Sequence, residues 1–231
     1  MPQLLLSDLH PFTTDMGALA VSLLVLLTYY LFLRWRLKRD PVYTVQAVNA
    51  IARTAWVQNV MGSPGKDILA VQTLRNSIMG PTFLASTAVL LIMGTLTLSG
   101  QGENLSATWH SVNLFGSTDP RLWTLKLVAI LVDFFVAFFS FSLAIRLFIH
   151  VGFMINVPVN LQHRAITPAH VAMLLNRAGS HHTMGMRAYY TSVPLVLWLF
   201  GPLLMLAASI VLVIALHQID RAPKVLADDY R

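Results

Sequence analysis

The third of four long apolar segments of this chain carries an acid, Asp133, near its middle and an arginine, Arg146, one helical turn before His150. An ionisable group at membrane depth costs roughly 2.5–3.5 kcal/mol on insertion scales, so such groups usually face protein or water and are candidates for a function. Asp133 could bind a proton or a cation. The structural alternative is a carboxyl that is protonated or hydrogen-bonded to a neighbouring helix.

Helical periodicity separates these groups, because residues three, four or seven positions apart share a face. Asp133 lies on the face of Ala137, Ser140 and Ala144, which are small enough for another helix to approach closely. Arg146 and His150 lie on a different face, about 20 Å further along the axis. An ion pair with Asp133 inside one helix is therefore excluded.

The basic residues at the predicted cytoplasmic boundary allow two interpretations. Their long side chains could simply reach from the membrane to the headgroups, or they could bind an anion or a lipid headgroup. We treat five residues as candidates for anion or lipid binding: Arg75, Arg146, His150, Arg177 and Arg187.

Several histidines lie in the predicted cytoplasmic segments, which raises the alternative of a metal-binding or haem-binding membrane oxidoreductase. Their spacing gives little support, since neither His-Glu-x-x-His nor Glu-x-x-His occurs. Phosphate-binding loops and hydrolase motifs are also absent, and the chain has no cysteine to bind a metal or haem. We predict no metal and no cofactor, and the catalytic residues of any enzyme stay unknown. The histidines are His150, His163, His170, His181 and His182.

The composition indicates that these side chains are held in a membrane. Hydrophobic residues make up 56% of the chain and charged residues 11%, against about 25% charged in soluble proteins. A helix needs roughly 20 apolar residues to cross the hydrocarbon core. Four segments meet that length, at about 16–33, 78–98, 122–149 and 190–216. The prediction is an all-α integral membrane protein with four transmembrane helices in one domain, 1–231.

The connections predict amphipathic cytoplasmic helices. Apolar residues recur every three or four positions over 41–61, and a new helix starting near Asp67 continues into the second span, with a bend at Pro81. Thr167 and Pro168 predict the start of a short helix, which Gly179 would end. The fourth span contains Pro194 and Gly201-Pro202, which predict kinks.

Lysine and arginine are concentrated in the first and third connections, which favours a cytoplasmic location for both and places both termini outside. In a bacterial inner (plasma) membrane, outside means periplasm. Fewer basic residues, Arg121 and Lys126, occur in the second connection, and acids dilute those of the C-terminal tail. The cytoplasmic set is Arg34, Arg36, Lys38, Arg39, Arg53, Lys66, Arg75, Arg164, Arg177 and Arg187.

Three motifs resemble an uncharacterised family of four-span membrane proteins from bacteria and plants, known as domain of unknown function five-nine-nine. They are Arg75-Asn76-Ser77-Ile78-Met79 leading to Leu84-Ala85-Ser86-Thr87, Arg146 with His150-Val151-Gly152-Phe153, and the run from His182 to Tyr190. The resemblance extends from about Tyr29 to Leu216. It implies a membrane location and four helices, and it brings no catalytic or binding residues.

Three functional hypotheses follow, from different classes. The favoured one is a homo-oligomer with a transport-like or channel-like role for an ion or small solute, since four helices with short loops leave little room for a path inside one subunit. The second is a scaffold or accessory subunit with an unknown protein partner. The third is the histidine-based oxidoreductase. Membrane lipids are expected partners, whereas nucleic acid is not, because no aromatic residues accompany the basic ones in a binding platform.

Overall fold

A computed structural model of the chain describes residues 2–100, 120–157 and 166–223, with side chains from 13 and 121 onward in the first two ranges. These residues form six helices, four of which are long and apolar enough to cross a membrane. The protein is therefore an all-helical, multi-pass membrane protein, as predicted. The helices are α1 (Pro2–Arg39), α2 (Val45–Gly62), α3 (Asp67–Gly100), α4 (Pro120–Ile155), α5 (Pro168–Trp198) and α6 (Pro202–Asp220), and the four candidate spans lie in α1, α3, α4 and α6.

Contacts divide the chain into two compact units that share the three helices α3, α4 and α5. Unit 1 comprises Met1–Asp40, Leu90–Phe135 and Ala188–Ile219. Unit 2 comprises Pro41–Val89, Val136–Arg187 and Asp220–Arg231. Unit 1 thus holds α1 and nearly all of α6, whereas unit 2 holds most residues of the cytoplasmic connections predicted from the sequence.

The core of unit 2 joins α2 to α3, α4 and α5. Val57, Val60 and Met61 of α2 are buried there, whereas Ala52 and Ala55 are exposed. The amphipathic helix predicted over 41–61 is therefore confirmed as a helix, and one of its faces packs against α3, α4 and α5. Its remaining core neighbours are Ala70, Leu74, Ala144, Phe148, Val151, Ile155, Val171, Ala172, Leu175 and Ala178.

Helix α3 begins at Asp67 and passes through Pro81 without ending, which confirms the prediction of one long helix leading into the second span. The start of α5 also follows the prediction, because the backbone N–H of His170 donates to the Thr167 hydroxyl over 3.2 Å. The predicted end at Gly179 is wrong. That glycine is buried inside α5, where the guanidinium of Arg53 lies only 2.8–3.0 Å from the position a Cβ atom would take.

The fourth apolar segment is interrupted between α5 and α6, so it does not form one helix over 190–216. Gly201 adopts a φ of 150°, which other residues rarely adopt, and Pro202 is the first residue of α6. Pro194 lies within α5 and does not end it. The turn at 199–201 lets α6 take a new direction.

Contacts inside each unit show that α6 ends beside the end of α1. In unit 1 the Phe32 and His217 ring centroids are 6.3 Å apart, whereas Asp15, near the other end of α1, contacts Trp198 just before α6 begins. In unit 2 an antiparallel bridge joins Thr44 and Arg221. The ends of α1 and α6 are therefore neighbours within unit 1.

Candidate functional site around Asp133

Two polar contacts, two helical turns apart, connect α4 to α5 within unit 1. Lys126 and Asp133 of α4 are seven positions apart, and so are Thr191 and Trp198 of α5. Because residues seven apart share a helix face, the two helices can bring these pairs together when they run antiparallel. Lys126 Nζ lies 5.4 Å from the centroid of a Trp198 ring, and Thr191 contacts Asp133.

The first contact is a buried ion pair. Lys126 Nζ lies 3.1 Å from Asp15 Oδ1, and the two side chains are only 3% and 0% exposed. The indole Nε1 of Trp198 donates to the same carboxylate oxygen over 2.8 Å. Three helices, α1, α4 and α5, are therefore joined by one carboxylate. Charge compensation and the additional hydrogen bond are what a buried ion pair requires to be tolerated.

The second contact contains the predicted intramembrane acid. The Thr191 hydroxyl donates to Asp133 Oδ1 over 2.8 Å. The other carboxyl oxygen, Oδ2, is buried and has no hydrogen bond to a described residue. Asp133 also makes no ion pair with any described residue. The carboxyl is thus held in place at one oxygen, while the second oxygen keeps its capacity to bind a proton or an ion.

The small face predicted beside Asp133 is buried, since Ala137 and Ala144 are 0% exposed and Ser140 is 4% exposed. The Thr191 partner was not predicted. The spacing of Thr191 and Trp198, seven positions, matches that of Lys126 and Asp133. This match is the sequence signal that could have identified Thr191.

A family model described as "Protein of unknown function, DUF599" matches residues 17–225. The chain belongs to this family. The match covers nearly the whole chain and confirms the family indicated by the three sequence motifs. No curated protein and no solved structure matches the chain.

In this DUF599 protein the five predicted boundary residues do not form one cluster among the described contacts. Arg75, Arg146, His150 and Arg177 are exposed and make no hydrogen bond or ion pair with a described residue. Arg187 differs, because its Nη2 lies 2.9 Å from Asp220 Oδ2. An anion bound by Arg187 would therefore have to compete with the carboxylate of Asp220.

A polar contact in unit 2, between α2 and α5, was missed by the sequence analysis. Arg53 Nε donates to Asn176 Oδ1 over 2.8 Å, and Asn176 Nδ2 donates to the Thr54 hydroxyl over 3.1 Å. Burial lowers the pKa of the Arg53 guanidinium from its ordinary value. The spacing of Arg53 relative to Val57 and Val60 puts it on their face, which was the available signal.

The histidines of the DUF599 protein have different surroundings. His150 is exposed, His182 packs against Phe141 with ring centroids 5.8 Å apart, and His163 lies outside the described residues. In the described ranges, no three residues of the types His, Asp and Glu are grouped so that they could hold a metal ion. The Nδ1 atom of His182 is buried and has no hydrogen bond to a described residue.

Proposed function

We propose that this DUF599 protein is a self-associating bacterial inner-membrane protein that moves protons or another small ion, with Asp133 as the intramembrane binding group. The observation that carries the proposal is the state of its carboxyl. Oδ1 accepts a hydrogen bond from Thr191, whereas Oδ2 is buried without a hydrogen bond to a described residue. A carboxyl with no neighbouring cation inside a span is suited to bind and release a positively charged species.

Protons fit this site better than a metal ion does. One carboxyl and one hydroxyl supply few ligands, whereas Ca²⁺ takes six to eight oxygens and Mg²⁺ prefers octahedral coordination. The nearest ammonium on α4, that of Lys126, already pairs with Asp15 two turns away. A single carboxyl needs only one oxygen to accept a proton, and Asp133 Oδ2 is available for this.

Helix α5 supports the same proposal, because it is a polar helix that accompanies four apolar ones. It carries His182, Arg187, Thr191 and Ser192 and is not among the four candidate spans. We propose that α5 is a fifth crossing, packed on protein where its polar groups are shielded from lipid. Intramembrane polar groups of this kind typically line ion or proton paths.

A fifth crossing places the start of α1 outside and the end of α6 inside. The orientation of α1 follows from the basic cluster at its end, as the positive-inside rule requires. With the end of α6 on that side, the basic tail residues Arg221, Lys224 and Arg231 also become cytoplasmic. Only Arg121 and Lys126 then remain basic on the outer side of the membrane, which strengthens the charge asymmetry. Lys126 in turn pairs with Asp15.

Self-association is proposed because the chain offers few helices for a complete path. The small face at Ala137 and Ser140 is already buried inside the subunit, while several large apolar residues of α4 are exposed, among them Val132, Phe135 and Phe139. These exposed residues suit contact with lipid or with a second copy. A path between subunits would need only part of its lining from each.

Reconstitution in liposomes loaded with a pH-sensitive dye would test the proposal. An imposed pH gradient, with valinomycin and K⁺ present to compensate charge, should collapse faster with wild-type protein than in empty liposomes. Asp133→Asn should reduce this rate to that of empty liposomes, because an amide cannot take up a proton at neutral pH. Asp67→Asn changes an exposed acid in the first turn of α3 and should keep the wild-type rate.

The same preparations need a measurement of assembly, by intact mass in detergent. If Asp133→Asn keeps the wild-type mass and loses flux, the carboxyl acts in transport. Wild-type flux in Asp133→Asn would overturn the role of this residue. A wild-type preparation that shows no flux and binds a second protein would replace the transport role with that of an accessory subunit.

A further inference from the structure

A groove in unit 2 runs between α3 and α4, on the side where α3 begins and α4 ends. Its volume is about 500 Å³, and it extends along α3 from Val71 to Phe83. These two residues are twelve positions apart, which corresponds to about 18 Å along a helix axis. Ile149 and Phe153 line the opposite side, on α4. The groove therefore has the length and shape to hold an extended hydrocarbon chain.

The lining contains a single ionisable residue, Arg75. Its side chain is exposed, and it makes no hydrogen bond or ion pair with a described residue. The hydroxyl of Thr82, which also lines the groove, donates to the Ile78 carbonyl over 2.8 Å and is thereby satisfied within α3. The polar character of the groove is thus limited to one guanidinium, one turn from the Val71 end.

We propose that this groove binds an acyl chain of an anionic phospholipid whose phosphate is held by Arg75. A guanidinium can donate two parallel hydrogen bonds to a phosphate, which an ammonium cannot do in the same geometry. Arginine side chains near the end of a membrane helix reach the depth of the headgroups. In such a lipid the acyl chain and the phosphate belong to one molecule. Because Arg75 lines the groove, it can bind the phosphate while the acyl chain lies in the groove.

The charge of Arg75 decides between this occupant and others. A second copy of the chain would have to bring an acidic residue to Arg75, and the sequence holds only 10 acidic residues against 16 basic ones. The cytoplasmic leaflet, by contrast, is rich in anionic headgroups. A zwitterionic lipid would fill the groove equally well but would carry its own cation close to Arg75. Preference for an anionic headgroup is therefore the property that Arg75 predicts.

Gly152 offers a way to close the groove without changing its charge. It lines the groove, and a Cβ atom there would meet only Leu74 Cδ1, at 3.9 Å, which is ordinary van der Waals contact. Gly152→Ala should therefore fold normally and leave the groove open. Gly152→Leu should fill the space that the acyl chain would occupy.

Native mass spectrometry of the purified protein, titrated with phosphatidylglycerol or phosphatidylcholine of the same acyl chains, would test this site. We expect the wild type to retain phosphatidylglycerol more tightly, and Arg75→Gln to weaken its retention by roughly fivefold, as expected for one basic residue at an anionic surface. Arg34→Gln removes another exposed arginine, which does not line the groove, and should behave as the wild type. Gly152→Leu should weaken retention of both lipids, whereas Gly152→Ala should not.

Two results would overturn the proposal: equal retention of phosphatidylglycerol in the wild type and in Arg75→Gln, or unchanged lipid retention in Gly152→Leu. A change in subunit number in Gly152→Leu, without a change in lipid retention, would identify the groove as a contact between copies. Thermal unfolding of each variant in detergent would show that it is folded. Lipid retention is measured without any flux, so failure here and failure of the proposed transport role can be told apart.

Discussion

Asp15→Asn is expected to destabilise the protein by about 3–5 kcal/mol, which is the usual cost of removing one partner of a buried ion pair. Lys126 would stay buried at 3% exposure without its carboxylate. Asparagine keeps a side-chain oxygen that can still accept the hydrogen bond from Trp198. The loss of stability should therefore come mainly from the missing negative charge and not from a missing hydrogen bond. The free energy of unfolding, measured in mixed micelles by tryptophan fluorescence, would show it.

The matched control removes the second charge as well. Asp15→Asn combined with Lys126→Met has no uncompensated ammonium, so it should recover most of the stability lost by the single variant. Asp67→Asn, at an exposed position, should change the free energy of unfolding by less than about 0.5 kcal/mol. If Asp15→Asn alone lies within about 1 kcal/mol of the wild type, the pair does not connect α1, α4 and α5 in the way the structure indicates.

This ion pair could not be predicted from the sequence, for a physical reason. Asp15 and Lys126 each lie near the end of an apolar segment, where a single charge ordinarily marks the interface with water. Nothing in the local pattern distinguishes an interfacial lysine from one buried against an acid on a distant helix. The apolar segments themselves were predictable, because hydrocarbon imposes a length and a composition on every helix exposed to it.

Helix α5 is an exception to this requirement for an apolar composition. In the proposed arrangement, α5 crosses the membrane packed on protein, so it does not need an apolar surface. Its polar residues, among them His182, Arg187 and Thr191, keep it out of the set of candidate spans recognised by length and hydropathy. The final apolar segment was consequently assigned to one helix instead of two. Asp133 was identified because an acid in an apolar segment is rare, whereas its partner Thr191 is a common residue in an inconspicuous context.

The role of the glycines of α5 also could not be predicted from the sequence, because it depends on side chains of neighbouring helices. A glycine late in a helical pattern commonly marks a helix end. Gly185 is instead buried within α5, where a Cβ atom would lie 2.7–2.8 Å from ring atoms of Phe141. Phe141 is 0% exposed, so its ring has little room to move. Glycine at this position allows α5 to lie close against α4 in unit 2.

Gly185→Ala should therefore destabilise the protein by about 1–2 kcal/mol. Overpacking a core typically costs about 1–3 kcal/mol of stability. The higher helix propensity of alanine offsets roughly 0.5–1 kcal/mol of this cost. Gly94→Ala is the matched control, since a Cβ atom at Gly94 of α3 meets nothing within 4 Å. It should leave the free energy of unfolding unchanged or raise it.

A shorter side chain at position 141 should relieve the clash. Phe141→Leu alone creates space in the core and is expected to destabilise the protein, but it should reduce the cost of Gly185→Ala when the two are combined. If the double variant loses less stability than the sum of the two single losses, the ring of Phe141 is what excludes a side chain at Gly185. Additive effects, or a stabilised Gly185→Ala variant, would show that α5 and α4 can separate at this point, and the close approach of the two helices would then not require glycine.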